Sequence, residues 1–350
     1  METQRTRVLY VLGEYPQISQ TYILSEIEAV RTDYDVRVVA LAKADLPCLD
    51  AHPYECVGDP ERIDEIIEEF RPHVLHTHYL ITLKLVSRLA ERHRVPFTVR
   101  THSFDALSGS DHLRRAPLLN RDSCLGGLAF PFTRPALERA GCRPEKIIDC
   151  HPVIDYQRFH DRSPNGTAVM NVGACIPKKR MEDFVDLARL LPDRQFDLYP
   201  LGYATEEIRR YNDERGGPVH IREVVQPEDM PGVYKRHGWL VYTACPRLCQ
   251  VGWPMAVAEA QAAGLGVCMP NLRPDLEQYV GAAGFLYDSI EELPRTLSQP
   301  YPEEMRELGF DQARRSDVQR HKHLLTDLWD EAASRPRRSR LLEGDPIRSP

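Results

Sequence analysis

The sequence has no apolar run approaching the ~20 residues of a membrane span, no surplus of basic residues and no even, closely spaced set of cysteines. Its 350 residues carry 45 Lys and Arg against 52 Asp and Glu, a net charge of −7, and neither half is basic. Nucleic acid is therefore not an expected partner. Nine cysteines, an odd number scattered along the chain, fit reduced thiols better than a secreted disulfide framework. The amino end leads straight into a β-like run without a signal-peptide core. These absences point to a soluble, cytoplasmic protein of about two domains, each long enough to bury a core unaided.

What is present is alternation. Short apolar segments bounded by turn residues predict strands at 8–12 (ending at Gly13), 36–41, 74–78 and 97–100, with helices at 21–30, 63–70 and 83–93 between them. A polar, turn-rich stretch at 160–166 follows, and the pattern restarts. Strands are expected at 168–172, 196–199, 219–221, 240–242 and 266–269, with a helix at 181–191. Strands spaced by helices of about 10–15 residues read as βαβ units, so each half is expected to be a doubly wound α/β domain with a parallel sheet. The expected domains are 1–160 and 161–310, followed by a charged helical region at 311–333. A tail at 334–350, with Arg335, Arg337, Arg338 and Arg340 among prolines, lacks periodicity and reads as disordered. Ligands of open parallel sheets bind beyond the carboxyl ends of strands, so the informative residues are those that follow strands.

The segment from Gly252 to Gly264 is the strongest of these. Gly252 permits close approach of backbone to a ligand, and Pro254 suits the first helical position. The Ala-rich helix behind them offers free N–H groups and a partial positive charge to a phosphate. Glu259, about a turn further on, is placed to accept hydrogen bonds from sugar hydroxyls; a solvated Glu on a core helix is the plainer alternative. His76 and His78 share one strand face but His73 does not, and no third ligand at metal spacing is near in sequence, so no metal site is expected. Cys245 and Cys249 in one loop read as idle thiols. His112, Arg114, Arg115 and Arg121, interleaved with Leu113, Leu118 and Leu119, leave open a weak contact with an anionic membrane surface or an acidic acceptor, although a solvated helix face is the plainer reading.

Several blocks together resemble the GT4 glycosyltransferases over roughly residues 7–330. They are Tyr15 to Ile23; Arg71 to His78; Arg100 to Asp105; Pro144 to Ile147 with Val153 to Phe159; Val172-Gly173 through Pro177-Lys178-Lys179; Pro254-Met255 through Gly264; and Ala282 to Leu286. The resemblance implies the GT-B fold, two Rossmann-like domains facing across a cleft. It also implies retaining transfer of a sugar from a nucleoside-diphosphate-sugar donor to an acceptor hydroxyl, without a metal or other cofactor. Under it, Lys179 contacts the donor diphosphate, Gly252, Trp253, Pro254 and Met255 present backbone to phosphate and sugar, and Glu259 binds the ribose diol. His102 sits near the transferring sugar. Gly13 admits the phosphates from the opposite domain, Gly173 and Lys178 belong to the donor loop, and Val224 and Val225 read the base. His102, Lys179 and Glu259 are thus the expected catalytic residues. The acceptor, whether small molecule, glycan or lipid-linked, is not specified.

Two positions depart from the family. Ala174 stands where an Arg is usual, and Val251 stands where a first Glu precedes the second by eight residues. Lys178, Arg180 and Arg247 are the neighbouring cations available to replace the missing charge, and Val251 implies a more apolar wall of the sugar pocket. The departures keep two alternatives in view: a catalytically degenerate GT-B protein that supports a partner glycosyltransferase, and a sugar-nucleotide epimerase.

Overall fold

The computed structural model describes residues 5–109, 111–248 and 250–334. The arginine-rich tail beyond Ser334 and Cys249 lie outside the described residues. The first sheet contains β1 (Arg7–Tyr15), β2 (Asp35–Lys43), β3 (Tyr54–Cys56), β4 (Val74–His78), β5 (Phe97–Arg100), β6 (Cys124–Ala129) and β7 (Ile147–Asp149). The second contains β8 (Ala168–Ala174), β9 (Phe196–Leu201), β10 (His220–Ile221), β11 (His237–Val241), β12 (Gly266–Pro270) and β13 (Gly284–Tyr287). Their orders are β3-β2-β1-β4-β5-β6-β7 and β10-β9-β8-β11-β12-β13, with parallel pairing throughout. Each sheet therefore reverses direction once, between β1 and β4 and between β8 and β11. Crevices at such reversals are where doubly wound domains hold ligands. The doubly wound α/β class expected from the alternation is what the chain adopts.

The central strands are buried on both faces, which is why they read as continuous apolar runs. Val8 to Leu12 are at most 1% exposed, and all five residues of β4, including His76 and His78, are equally buried. Several element limits differ from the sequence reading. β1 does not end at Gly13, because Glu14 and Tyr15 continue its ladder opposite Ala42 and Lys43. The helix at Met181 ends at Arg189, and β11 covers Val241 but not Tyr242. β6 carries Gly126 and Gly127, which weaken its strand signal. A Cβ on Gly126 would fall 2.7 Å from Ile148 Cδ1 of the neighbouring strand, so a larger residue there would require that side chain to move.

The chain crosses between units twice. After β7, Ile154, Tyr156 and Phe159 already belong to the core of the second unit, upstream of the polar stretch at 160–166. The helix Glu303–Arg314 packs on the second unit, its Gln312 donating to the Gln278 and Tyr279 carbonyls. The chain then returns, and the helix His323–Ser334 covers the first sheet. There Trp329 is fully buried and donates from Nε1 to Thr98 Oγ1 at 3.0 Å, while Tyr34 donates to Asp330 at 2.7 Å. The two crossings run side by side: Ile154 N–H donates to the Ser316 carbonyl at 2.8 Å, and Val318 N–H to the Ile154 carbonyl at 2.9 Å.

In the segment Asp111–Asn120, Ala116 and Leu119 are buried and Leu113 and Leu118 pack on the first core, while Arg121 pairs with Glu91. The apolar side chains of the basic cluster thus face inward. Among the described residues no helix is long and apolar enough to cross a membrane, and the eight described cysteines are unpaired.

Candidate functional site

A cavity of about 750 Å³ opens where the carboxyl ends of the two sheets face each other. From the second unit it receives Gly173 and Ala174 at the end of β8, Lys179 from the loop behind it, Val224 and Val225 after β10, and Trp253, Pro254, Met255 and Glu259. From the first unit it receives Tyr22, Tyr79, His102, Ser103 and Phe104. Gly173 has φ +136° with no atom within 4 Å of a built Cβ, so the chain turns there with open space beside it.

The helix Met255–Ala262 points its amino end at this cavity. Pro254 is its cap residue, one position ahead of the expected first helical turn. The helix ends by a Schellman arrangement, in which Gly264 (φ +83°) donates to the Gln261 carbonyl and Leu265 to that of Ala260. Its Ala260 and Ala262 are buried, which lets the helix sit tightly on β12 and leaves its first N–H groups directed at the cavity.

Two ionisable side chains at this end have no ion-pair partner among the described residues. Burial, with Lys178 adding repulsion, lowers the Lys179 ammonium to about 7. Among the described residues no carboxylate pairs with it; its Nζ lies 4.3 Å from the Tyr242 ring centre. Burial raises the Glu259 carboxyl to about 7, opposed by a hydrogen bond from Tyr234 Oη at 2.8 Å and by the charge of Arg158, which lines the same cavity. A cation and a carboxylate held this way respond strongly to a ligand of opposite charge or with hydroxyl groups.

The first unit places a buried, hydrogen-bonded cluster behind the cavity wall. Glu26, on the helix Thr21–Val30, accepts from Arg100 Nε at 2.6 Å through Oε2. Its Oε1 accepts from Tyr10 Oη at 3.2 Å and lies 3.1 Å from His78 Nε2. Although burial opposes ionisation, Arg100 with His78 and His76 holds the Glu26 carboxyl well below the usual carboxylate range. His78 Nδ1 is 3.0 Å from Nε2 of His102. Burial depresses His78 to about 4 and pushes His102 well below its ordinary value, so both rings are neutral near pH 7. The His102 ring lies against Tyr79 (4.2 Å between centres) and Tyr22 (4.6 Å), and its backbone N–H donates to Asp105 at 2.9 Å. Tyr79 adopts φ +66°, a conformation uncommon for an aromatic residue, directly after β4.

The third group that the local sequence did not offer to His76 and His78 thus arrives from a distant helix. The ligand-capable atoms of Glu26, His76 and His78 lie within 4.8 Å of one another. Arg100 already neutralises that carboxylate, and a cation at the centre would be held next to a buried guanidinium. The donor set therefore reads as an ion-pair cluster. The sequence also holds one Asp-x-Asp triplet, Asp33-Tyr34-Asp35, a carboxylate pair able to hold a cation, but it lies at the opposite, amino end of β2, where Asp33 pairs with Lys322 at 3.0 Å.

Other predicted residues fall elsewhere. Gly13 is inside β1 and does not line the cavity. Gly252 is also off the lining: a Cβ there would fall 2.4 Å from Ser103 Cβ, so its bare backbone serves contact between the two units. Trp253 is 4% exposed, stacked on Tyr279 with ring centres 5.0 Å apart, and donates to Asp275. It also meets Phe132 of the first unit. Lys178 reaches across to the Phe104 ring, Arg180 pairs with Asp183, and Arg247 is exposed outside the lining. Val251 is buried in the second core, and its side chain forms no wall of the cavity. The expectation of an apolar sugar wall at Val251 is therefore corrected: Arg273 donates to the Val251 carbonyl and spans Phe132, leaving the side chain to face the core.

No protein-family profile matches the sequence, and no curated protein does. Solved structures match in fold. HepE of Anabaena, in complex with UDP-glucose, superposes with a TM-score of 0.68 at 15% identity over 93% of this chain and 98% of that one. A sucrose-phosphate synthase of Thermosynechococcus elongatus gives 0.70 at 13% identity, over 94% and 100%. AviGT4, a glycosyltransferase involved in avilamycin A biosynthesis, gives 0.64 at 15% identity, over 94% and 98%. Identities this low speak for architecture alone: the chain has the GT-B fold, two Rossmann-like domains facing across a cleft.

Proposed function

We propose that the protein is a GT4-type glycosyltransferase that moves a sugar from a nucleoside-diphosphate-sugar donor to an acceptor hydroxyl with retention and without a divalent metal. One observation carries the reading. Lys179 and Glu259, neither ion-paired among the described residues, line a single cavity with the amino end of the helix Met255–Ala262, and His102 faces them from the other domain. Lys179 and the helix amides hold the donor diphosphate and stabilise the charge that develops as it leaves. Glu259 accepts from the ribose diol, and Val224 and Val225 flank the base. His102 lies beside the transferring sugar. No protein nucleophile is needed if the acceptor attacks from the face the diphosphate leaves and the phosphate takes its proton. Contact of Gly252 with Ser103 at one side of the cleft, and of Leu49 with Gln226 at another, helps shield the donor from water.

UDP-sugars are the first donors to test, since HepE binds UDP-glucose within the same fold. Calorimetry against a panel of nucleotide sugars is expected to show one binder, whose affinity falls on Lys179→Ala and Glu259→Ala. Affinity unchanged by both would remove the assignment. A second reading has one observation in its favour: Ala174 lines the cavity where the resembled family has Arg. In that reading the domain binds the nucleotide sugar but supports a partner's catalysis; release of nucleoside diphosphate by the isolated chain would exclude it.

A further inference from the structure

One buried polar atom beside the cavity has no partner. Tyr242 directly follows β11, is 3% exposed and lines the cavity, yet its Oη meets no hydrogen-bond partner among the described residues. The rest of the residue is accounted for. Its N–H donates to the Cys268 carbonyl at 2.8 Å, its carbonyl accepts from Tyr287 Oη at 2.9 Å, and its ring belongs to the core of the second unit. A phenylalanine would serve all three, so only the hydroxyl lacks a reason, and a buried hydroxyl without a partner costs stability.

Its surroundings supply one. Lys179 Nζ lies 4.3 Å from the Tyr242 ring centre. The backbone that carries this lysine is tied to the residues after β11. Thr243 Oγ1 donates to the Lys179 carbonyl at 2.7 Å, and the Cys245 N–H to the Lys178 carbonyl at 2.9 Å. The loop is thus anchored, and the long side chain with its ammonium is the part able to move. The pairing of Leu240 with Met170, carried on two positions, sets Tyr242 beside Val172 on β8, with Ala174 two residues further along. Val172 and Ala174 also line the cavity but bring only apolar side chains. Beside Lys179, the Tyr242 hydroxyl holds an unspent hydrogen-bond donor.

We propose that Tyr242 is a second hydrogen-bond donor to the diphosphate of the bound nucleotide sugar. In the empty cleft its ring seats the Lys179 ammonium. When that ammonium rises onto the diphosphate, the uncovered hydroxyl donates to one of the diphosphate oxygens. The inference rests on the glycosyl-transfer reading for the identity of the ligand. It supplies a hydrogen bond that the methyl group of Ala174 cannot, and it explains why a polar atom is kept unpaired where a ring alone would pack.

The test compares the full chain with its Tyr242→Phe variant, by thermal unfolding without ligand and by calorimetry with UDP and with inorganic pyrophosphate. The variant removes one oxygen and keeps the ring. Without ligand it is expected to melt at or above wild type, because the hydroxyl it lacks is unpaired there. Its dissociation constants for UDP and for pyrophosphate are expected to rise about 10-fold, the scale of a hydrogen bond to a charged group. A purely structural hydroxyl predicts the opposite pair of results. Lower melting of the ligand-free variant, or its failure to fold, would therefore overturn the proposal. So would wild-type affinity for UDP in Tyr242→Phe, an outcome that leaves the glycosyl-transfer reading standing. Failure of that reading shows differently. Wild type that binds pyrophosphate but no nucleotide removes the reading alone, and the pyrophosphate affinity of the variant then decides this inference. Wild type that binds neither removes both.

Discussion

The two sheets present their carboxyl strand ends to the same cavity but treat charge in opposite ways. In the first, Glu26, Arg100, His78 and His102 are joined by short hydrogen bonds and buried, at most 8% exposed. In the second, Lys179 and Glu259 stand at the cavity edge with pKa values drawn toward neutrality and, among the described residues, no opposite charge bonded to them. The first arrangement is complete without a ligand, and the second is not. Preorganisation on one side and unmet charge on the other are what a cleft needs if it is to hold a geometry and still gain from binding an anion.

The comparison breaks most visibly at Arg100. Arg100→Leu strands a buried carboxylate and is expected to cost about 3–5 kcal/mol, read from urea unfolding followed by tryptophan fluorescence. Lys179→Ala is expected to do the reverse: no loss of stability, but about 10- to 100-fold weaker UDP binding by calorimetry, the scale of a lost charge-assisted hydrogen bond. Equal destabilisation by both variants would erase the distinction between the two sides.

Glu259→Gln sharpens it further. The folded protein holds the Glu259 proton up to about pH 7, whereas the unfolded chain releases it near the ordinary carboxylate value of ~4.3. Above pH 7 the ionised side chain therefore destabilises the fold, and below about pH 4 it does not. The Gln variant is expected to melt higher than wild type at pH 8, by about 1 kcal/mol after allowance for partial exposure, and to match it at pH 4. The smallest effect concerns Lys179. Burial holds its ammonium at about 7; a diphosphate bound there as proposed would raise that value, so binding is expected to take up a proton. UDP affinity is expected to fall by less than about tenfold per pH unit above 7, with calorimetric heats that follow the ionisation enthalpy of the buffer.

The architecture was legible because its signal is periodic: β4 and β5 were bounded by the sequence to the residue, and so were the helices Thr21–Val30 and Leu83–His93. His102 stood out because it follows a strand, Glu259 because it lies about a turn into a helix whose start suits a phosphate, and Lys179 only through the motif resemblance. What escaped depends on contacts between distant segments. Glu26 reads as one polar position on an amphipathic helix, and nothing local reveals that it meets His78 across 52 positions. Gly252 looked like a phosphate cradle, because a close approach leaves the same residue whether the neighbour is a ligand or Ser103. Val251 was read by its place in a motif, which fixes the backbone but not which way the side chain turns. Tyr22 and Tyr79 gave no signal, since an aromatic beside a cleft and one in a core look alike in composition.

The paired crossings at Ile154 and at Ser316 to Val318 bear on how such a cleft opens. Two connections that bond to each other behave as a single strap, so the domains are not free to slide or to separate at that edge. An opening of the cleft would then swing about that edge, least beside the strap and most at the far rim. A few degrees there alter the gap between His102 and Lys179 while leaving both sheets, and the charges each one holds, undisturbed.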